Sequence, residues 1–379
     1  MTSTSRERVI AALEHREPDR VPIDFAPQLD FYLNLKHYLG LEVEEDLRPN
    51  LAMEVVPHPQ VLETLGADLV LIPLTPGAEP AGVDVIQDAW GVGYRRVSHP
   101  GGGSHLEVIY NPLANASSMT DLEKYAWPDP VLPGCLEATG RMARGLYENT
   151  GLALVGRFGG SITGTAANLL GFEKWLVTAA LEPELAGAIL DRITDIIIAQ
   201  DAAGLSATAE YLQVLRVGNE DLGTQTGPLY SMRLFRSLLL PRLERRWQAA
   251  RHYLDRANPG VKILLRSCGS VRRFIPDLIQ AGIQVLDPLQ PLAAEMDPAE
   301  LKNEFGGRLS FHGGVDIQKV LSFGSEADVC TEVQKRIRAL GPGGGYIVSG
   351  AHTIQADTPP ASLVAMCKAA RTYGAYPLQ

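Results

Sequence analysis

The stretch Val261-Lys-Ile-Leu-Leu-Arg-Ser-Cys-Gly-Ser-Val-Arg-Arg-Phe-Ile-Pro-Asp-Leu-Ile-Gln-Ala-Gly-Ile-Gln-Val-Leu-Asp287 decides the fold. It opens on a short apolar run at 261–265, crosses a polar turn, continues with a helical pattern over 271–281 and closes on a second apolar run at 283–286. Neither run alternates cleanly between apolar and polar residues, as expected of strands covered on both faces. Strand, crossover helix and strand in that order form one unit of a parallel sheet.

Working outward, the same unit recurs. Apolar runs at 21–25, 68–72, 152–155, 210–215, 308–311 and 345–348 bring the total to eight. Helical patterns at 59–65, 173–204, 232–256, 298–305, 326–340 and 361–373 separate nearly all of them. A further helix, capped by Ser3 or Thr4 and running to about His15, is stopped by Pro18. Pro241 and Pro276 interrupt two of the patterns and predict kinks or fresh helix starts. Eight alternating units predict an α/β fold, a (β/α)8 TIM barrel. The interval between 72 and 152 is too long for a plain crossover. Within it, 83–97 and 105–110 flank Gly101-Gly-Gly103 and read as a β-hairpin. The chain is therefore read as a single barrel domain over 1–379, with an insertion covering the barrel mouth at about 76–150.

Composition limits the partners. With 45% hydrophobic and 21% charged residues, the chain is globular rather than a disordered acidic polymer. A net charge of −10 argues against nucleic acid, whose phosphates demand a basic surface. No stretch of 18 uncharged apolar residues exists, so no membrane span is expected. The four cysteines have no CxxC spacing and the first residues carry no apolar signal segment, so the expected location is a reducing cytoplasm. A small-molecule substrate is the expected partner.

In such barrels the reactive groups sit at the C-terminal ends of the strands. The residues just past the runs are Asp24, residues 73–75, Arg157, Arg216, Arg266 with Cys268, Asp287 with Gln290, His312 with Asp316, and His352. Arg157, Arg216 and Arg266 at consecutive strand ends suit a carboxylate or phosphate, unless they pair internally with Asp24, Asp221 or Asp287. His312-Gly-Gly-Val-Asp316 is the better anion-loop candidate, because Gly341-Pro-Gly-Gly-Gly345 precedes a strand and reads as a turn at the opposite end. Cys268 and His352 supply two zinc-type ligands, fewer than a site needs; the alternative is a buried thiol and a hydrogen-bonded histidine. Glu220-Asp221 offers either a further carboxylate ligand or general acid, or a solvated turn.

The order of elements resembles the uroporphyrinogen decarboxylase superfamily, which includes decarboxylases and corrinoid-linked methyltransferases. The resemblance rests on Arg6-Glu-Arg-Val-Ile-Ala-Ala-Leu13, Pro18-Asp-Arg-Val-Pro22, Asp88-Ala-Trp-Gly91, Gly171-Phe-Glu173, Asp221-Leu-Gly-Thr-Gln225, Ser267-Cys-Gly-Ser270, Gly313-Gly-Val-Asp316, His352-Thr-Ile-Gln355 and Pro359-Pro360. True uroporphyrinogen decarboxylases carry an arginine-rich segment after the first strand and an aspartate after the second. Here those segments read Phe25-Ala-Pro-Gln-Leu-Asp-Phe-Tyr32 and Leu71-Ile-Pro-Leu-Thr75, without either. The methyltransferase branch implies a His-x-Cys pair and a later residue on zinc, and here Arg266 stands where that histidine is expected. A guanidinium cannot coordinate a metal.

Two mechanisms follow. In the first, Cys268, His352 and a nearby acid such as Glu220 hold zinc, and a methyl group passes between a small substrate and a corrinoid protein or thiol acceptor. In the second no metal binds; Arg157, Arg216 and Arg266 clamp a carboxylate, with His312 and Asp316 assisting binding, while His352 or Asp24 acts as general acid in a decarboxylation or related lyase step. A third reading is a non-catalytic tetrapyrrole or corrinoid carrier. The resemblance also implies a homodimer.

Overall fold

The computed structural model describes residues 3–74, 85–99, 103–130 and 134–378. Its central sheet consists of β1 (Leu69–Pro73), β5 (Ala153–Arg157), β6 (Val214–Asn219), β7 (Lys262–Arg266), β8 (Val285–Leu289), β9 (Ser310–Val315) and β10 (Tyr346–Gly350), hydrogen-bonded in that order. All six pairings are parallel, as the βαβ reading requires. A separate antiparallel meander is built from β2 (Val85–Gln87), β3 (Gly93–Ser98) and β4 (Ser104–Tyr110).

The first predicted strand, residues 21–25, is not a regular ladder strand. It nevertheless occupies the eighth position, between β10 and β1. Asp24 N donates to Val348 O (2.9 Å), Val348 N to Pro22 O (2.9 Å), and Asp68 N to Ile23 O (2.8 Å). The irregularity has a local cause: Pro22 has no N–H, and Ile23 N donates to the Asp68 carboxylate (2.8 Å) instead of a strand carbonyl. Buried Asp68 also takes ion pairs from Arg8 (2.6 Å) and Arg20 (2.8 Å), so a side chain closes the barrel where a ladder would.

Below this seam the first helix, Ser5–Leu13, begins with a capping box between Thr4 and Glu7. Its Val9 and Leu13 join Leu69, Ala153, Val214, Leu264, Val285 and Ile347 in an apolar cluster that fills the barrel floor. Three outer helices have the expected bounds: Pro59–Leu65, Pro298–Phe305 and Glu326–Leu340. The 173–204 pattern is two helices, Phe172–Leu181 and Pro183–Thr208, because Pro183 starts a new first turn. Pro241 and Pro276 likewise sit in the first turns of Leu240–Ala257 and Ile275–Gln280, the former preceded by a π-helical turn at Phe235–Leu239.

The meander corrects the hairpin reading. Residues 85–97 do not run as one arm; they fold back at 88–91, where the Asp88 carboxylate accepts the N–H groups of Trp90 and Val92 (both 2.9 Å). Val83, Asp84, Gly101 and Gly102 of the expected hairpin, and Thr75 at the end of the second run, lie outside the described residues. The helix Cys135–Asn149 packs on β1, β5 and the helix Pro183–Thr208. A helix at Leu29–Leu39, which the sequence reading missed, follows the first strand position, and its Asp30 carboxylate accepts the N–H of Ser104 at the start of β4 (2.9 Å). Among the described residues no helix is long and apolar enough to cross a membrane.

Candidate functional site

Strand periodicity of two stacks a charged layer on the apolar floor. Val155 is followed two residues on by Arg157, Val214 by Arg216, Leu264 by Arg266, Val285 by Asp287 and Ser310 by His312. At the mouth, Asp24, Glu54, Arg216, Arg266, Asp287, His312 and His352 line one cavity whose lower wall is Leu69, Leu71, Val155 and Leu264.

The polar groups of this layer are tightly cross-linked. Arg266 Nη1 pairs with Asp287 Oδ2 (3.1 Å) and its Nη2 donates to Thr353 Oγ1 (3.2 Å). Thr353 Oγ1 in turn donates to Glu54 Oε1 (2.7 Å). Arg157 Nη1 pairs with Glu54 Oε2 (2.5 Å), and Arg216 Nη2 lies 3.9 Å from Glu54 Oε1. His312 sits between two carboxylates, Nδ1 at 2.7 Å from Asp287 Oδ1 and Nε2 at 2.9 Å from Asp24 Oδ2. Both ring nitrogens carry protons in that arrangement.

Electrostatics follow from these contacts. Burial works against the His312 imidazolium, but Asp287 and Asp24 outweigh it and push the ring up to about 9. Burial would raise Asp287, yet Arg266 and His312 hold its carboxyl well below the usual range. Glu54 is held down in the same way by Arg216, Arg157 and Arg266. Arg216 differs from its neighbours. Burial pulls its guanidinium down to about 10 despite Glu54, its Nε has no partner among the described residues, and its Nη2 donates to Asn219 Oδ1 (2.8 Å). His352 is lowered by burial and by Arg266, and its buried Nδ1 also lacks a partner. At neutral pH it is therefore a neutral imidazole, able to accept or donate a hydrogen bond but a poor proton source, against its expected role as general acid.

Of the residues that sequence reasoning placed at the mouth, Asp24, Arg216, Arg266, His312 and His352 line the cavity, and Arg157 reaches the same layer through Glu54. Glu220, Asp316 and Cys268 do not line it. Glu220 does not line the cavity; its buried carboxylate accepts Ile162 N (2.7 Å), Thr163 N (2.9 Å), Thr163 Oγ1 (2.6 Å) and Ser161 Oγ (3.0 Å) at the start of the helix Ile162–Leu170. Its lone pairs are consumed in holding that helix end. Asp316 caps the next turn through Gln318 N (2.8 Å), and the Gly313-Gly-Val315 stretch is part of β9 rather than a loop facing an anion. The missed residue is Glu54. It lies in an aperiodic segment between two helices, and its partners are 103 and 299 residues away in sequence.

A resident zinc ion does not fit this site. Cys268 is not among the cavity-lining residues. Glu220 is spent elsewhere, and the fixed cation Arg266 acts on both Cys268 and His352. Among the described residues no three His, Cys, Asp or Glu side chains converge to hold a metal.

Known proteins resemble the chain at the level of family and fold. Residues 4–373 match the family model described as Uroporphyrinogen decarboxylase (URO-D). A methyltransferase from Methanosarcina mazei superposes with a TM-score of 0.65 at 18% identity, covering 98% of this chain and 99% of that one. The Ignisphaera aggregans GH53 catalytic domain gives a TM-score of 0.36 at 12% identity over 91% of this chain and 99% of its own. Rutinosidase from Aspergillus niger gives 0.35 at 14% identity over 58% and 65%. No curated protein sequence matches.

Proposed function

The chain belongs to the uroporphyrinogen decarboxylase (URO-D) family, and from that premise we propose that it is a metal-independent enzyme that binds a small carboxylate in the barrel mouth and removes its carboxyl group. The observation that carries this reading is Arg216, a buried guanidinium on the cavity wall whose Nε lacks a partner. An unpaired donor on a buried cation is costly, and a substrate carboxylate supplies both the charge and the lone pairs it lacks.

Arg216, with Arg266 beside it on the cavity wall, holds the carboxylate. The C–C bond to that carboxylate breaks, CO2 leaves, and the electron pair passes into an electron sink carried by the substrate itself. The proton that reaches the vacated carbon comes from His312 Nε2 by way of the Asp24 carboxylate, the more exposed partner of His312, which is left ionised as the imidazole becomes neutral. Asp287 keeps the imidazole oriented through Nδ1. The neutral His352, with its free Nδ1, orients a polar substituent of the substrate.

Methyl transfer to or from a corrinoid protein is the second reading, favoured by the Ser267-Cys-Gly-Ser270 segment and by the methyltransferase of the same fold. The two are separated by incubating chelator-treated protein with carboxylic acids that carry a β-keto or protonatable heterocyclic sink in D2O. Decarboxylation predicts CO2 release with one deuterium at the vacated carbon, and a loss of about 100-fold or more in kcat for His312→Asn. Activity that appears only with added zinc and yields a methylated corrinoid would overturn the proposal.

A further inference from the structure

We propose that Glu54 is a built-in counter-carboxylate that restricts the site to substrates with a single carboxylate group, by occupying Arg157. This rests on the carboxylate-binding reading above and deepens it by naming the substrate class.

The first support is how completely Glu54 is held. Its Oε2 takes Arg157 Nη1 (2.5 Å) and Asn50 Nδ2 (3.1 Å), and its Oε1 takes Thr353 Oγ1 (2.7 Å). The backbone that presents it is equally fixed. Asn50 Oδ1 accepts the N–H groups of Ala52 (2.8 Å) and Glu54 (3.0 Å), while Val55 N donates to Pro27 O (3.1 Å). Met53, just before it, adopts left-handed backbone at φ 60°, an uncommon conformation for a residue with a side chain. The turn is bent against its preference and Glu54 ends in the mouth.

The second support is charge. Three guanidiniums and the His312 imidazolium face the carboxylates of Glu54, Asp287 and Asp24, and Asp221 acts on Arg266 from the same end of the barrel. A second substrate carboxylate would find Arg157 already paired and would lie beside Glu54 or Asp287, and a buried anion without a counter-charge is expelled. The 3.9 Å gap between Arg216 and Glu54 is too long for a hydrogen bond, so Arg216 keeps donors for the incoming group. Without Glu54 the same three arginines would suit a dicarboxylate.

The test is isothermal titration of propionate and succinate into metal-free protein at pH 7. The wild type is expected to bind propionate in a manner that Arg216→Gln weakens, and to prefer it over succinate. Glu54→Gln should shift that preference toward succinate by about tenfold or more. Glu54→Gln with Arg157→Gln restores the charge balance and should restore the preference for propionate. If Glu54→Gln fails to fold, Arg157→Gln alone leaves Glu54 bare in the site and should weaken propionate by about tenfold or more; unchanged affinity there overturns the inference. An unchanged preference in folded Glu54→Gln, with Arg216-dependent propionate binding intact, overturns the inference and leaves the carboxylate reading standing. Failure of the wild type to bind propionate overturns both.

Discussion

His312 carries the proton in this account, and its environment dictates a pH dependence. Its unfolded value is near 6.5 and its folded value is raised to about 9 by Asp287 and Asp24. The stabilisation it brings is therefore fully present below about pH 6.5 and is lost as pH rises through about 9, on the order of 3 kcal/mol in all. Chemical denaturation at pH 6, 8 and 10 should show that loss in the wild type and not in His312→Gln. Turnover should fall on the same alkaline limb, because the acid form disappears; a profile flat to pH 10 would remove His312 from the proton path. Among single residues, those at strand ends were legible because the barrel places every second strand residue inward and the last one at the mouth. Glu54 was not legible, since nothing local marks it and only contacts spanning 103 and 299 residues give it a role.

Elements were legible where a local rule fixes them. Pro59–Leu65, Pro298–Phe305 and Glu326–Leu340 begin at prolines in the first turn or at a Ser325 capping box, signals contained within a few residues. The first strand position was legible as a run but not as an irregular one, because its Ile23 N–H donates to the carboxylate of Asp68, 45 residues away. Glu220 shows the same limit: next to a strand end it reads as a catalytic acid, yet it serves the N-terminus of Ile162–Leu170. Glu220→Gln keeps the shape and removes the charge that four donors share, so it should cost about 1–3 kcal/mol of stability by denaturant titration. A much larger loss in substrate affinity than in stability would return Glu220 to the site.

At the scale of the whole molecule, the chain carries a net charge of −10 while its barrel mouth gathers three guanidiniums and an imidazole among carboxylates. That contrast was foreshadowed by three arginines at consecutive strand ends, and the fold explains it: apolar side chains fill the floor, and the charged layer two residues above can be stable only if nearly balanced. The unpartnered Nε of Arg216 is what a carboxylate substrate would complete. The metal reading could not be decided from sequence, because whether Cys268 and His352 converge depends on how two loops fold over the mouth. The most direct measurement is titration of propionate and of propionamide into chelator-treated protein, wild type and Arg216→Gln. Saturable binding is expected of propionate alone, weakened in Arg216→Gln by about 1.5–3 kcal/mol, the worth of hydrogen bonds to a charged group. Equal binding of the amide, or an unchanged affinity in the variant, would contradict it.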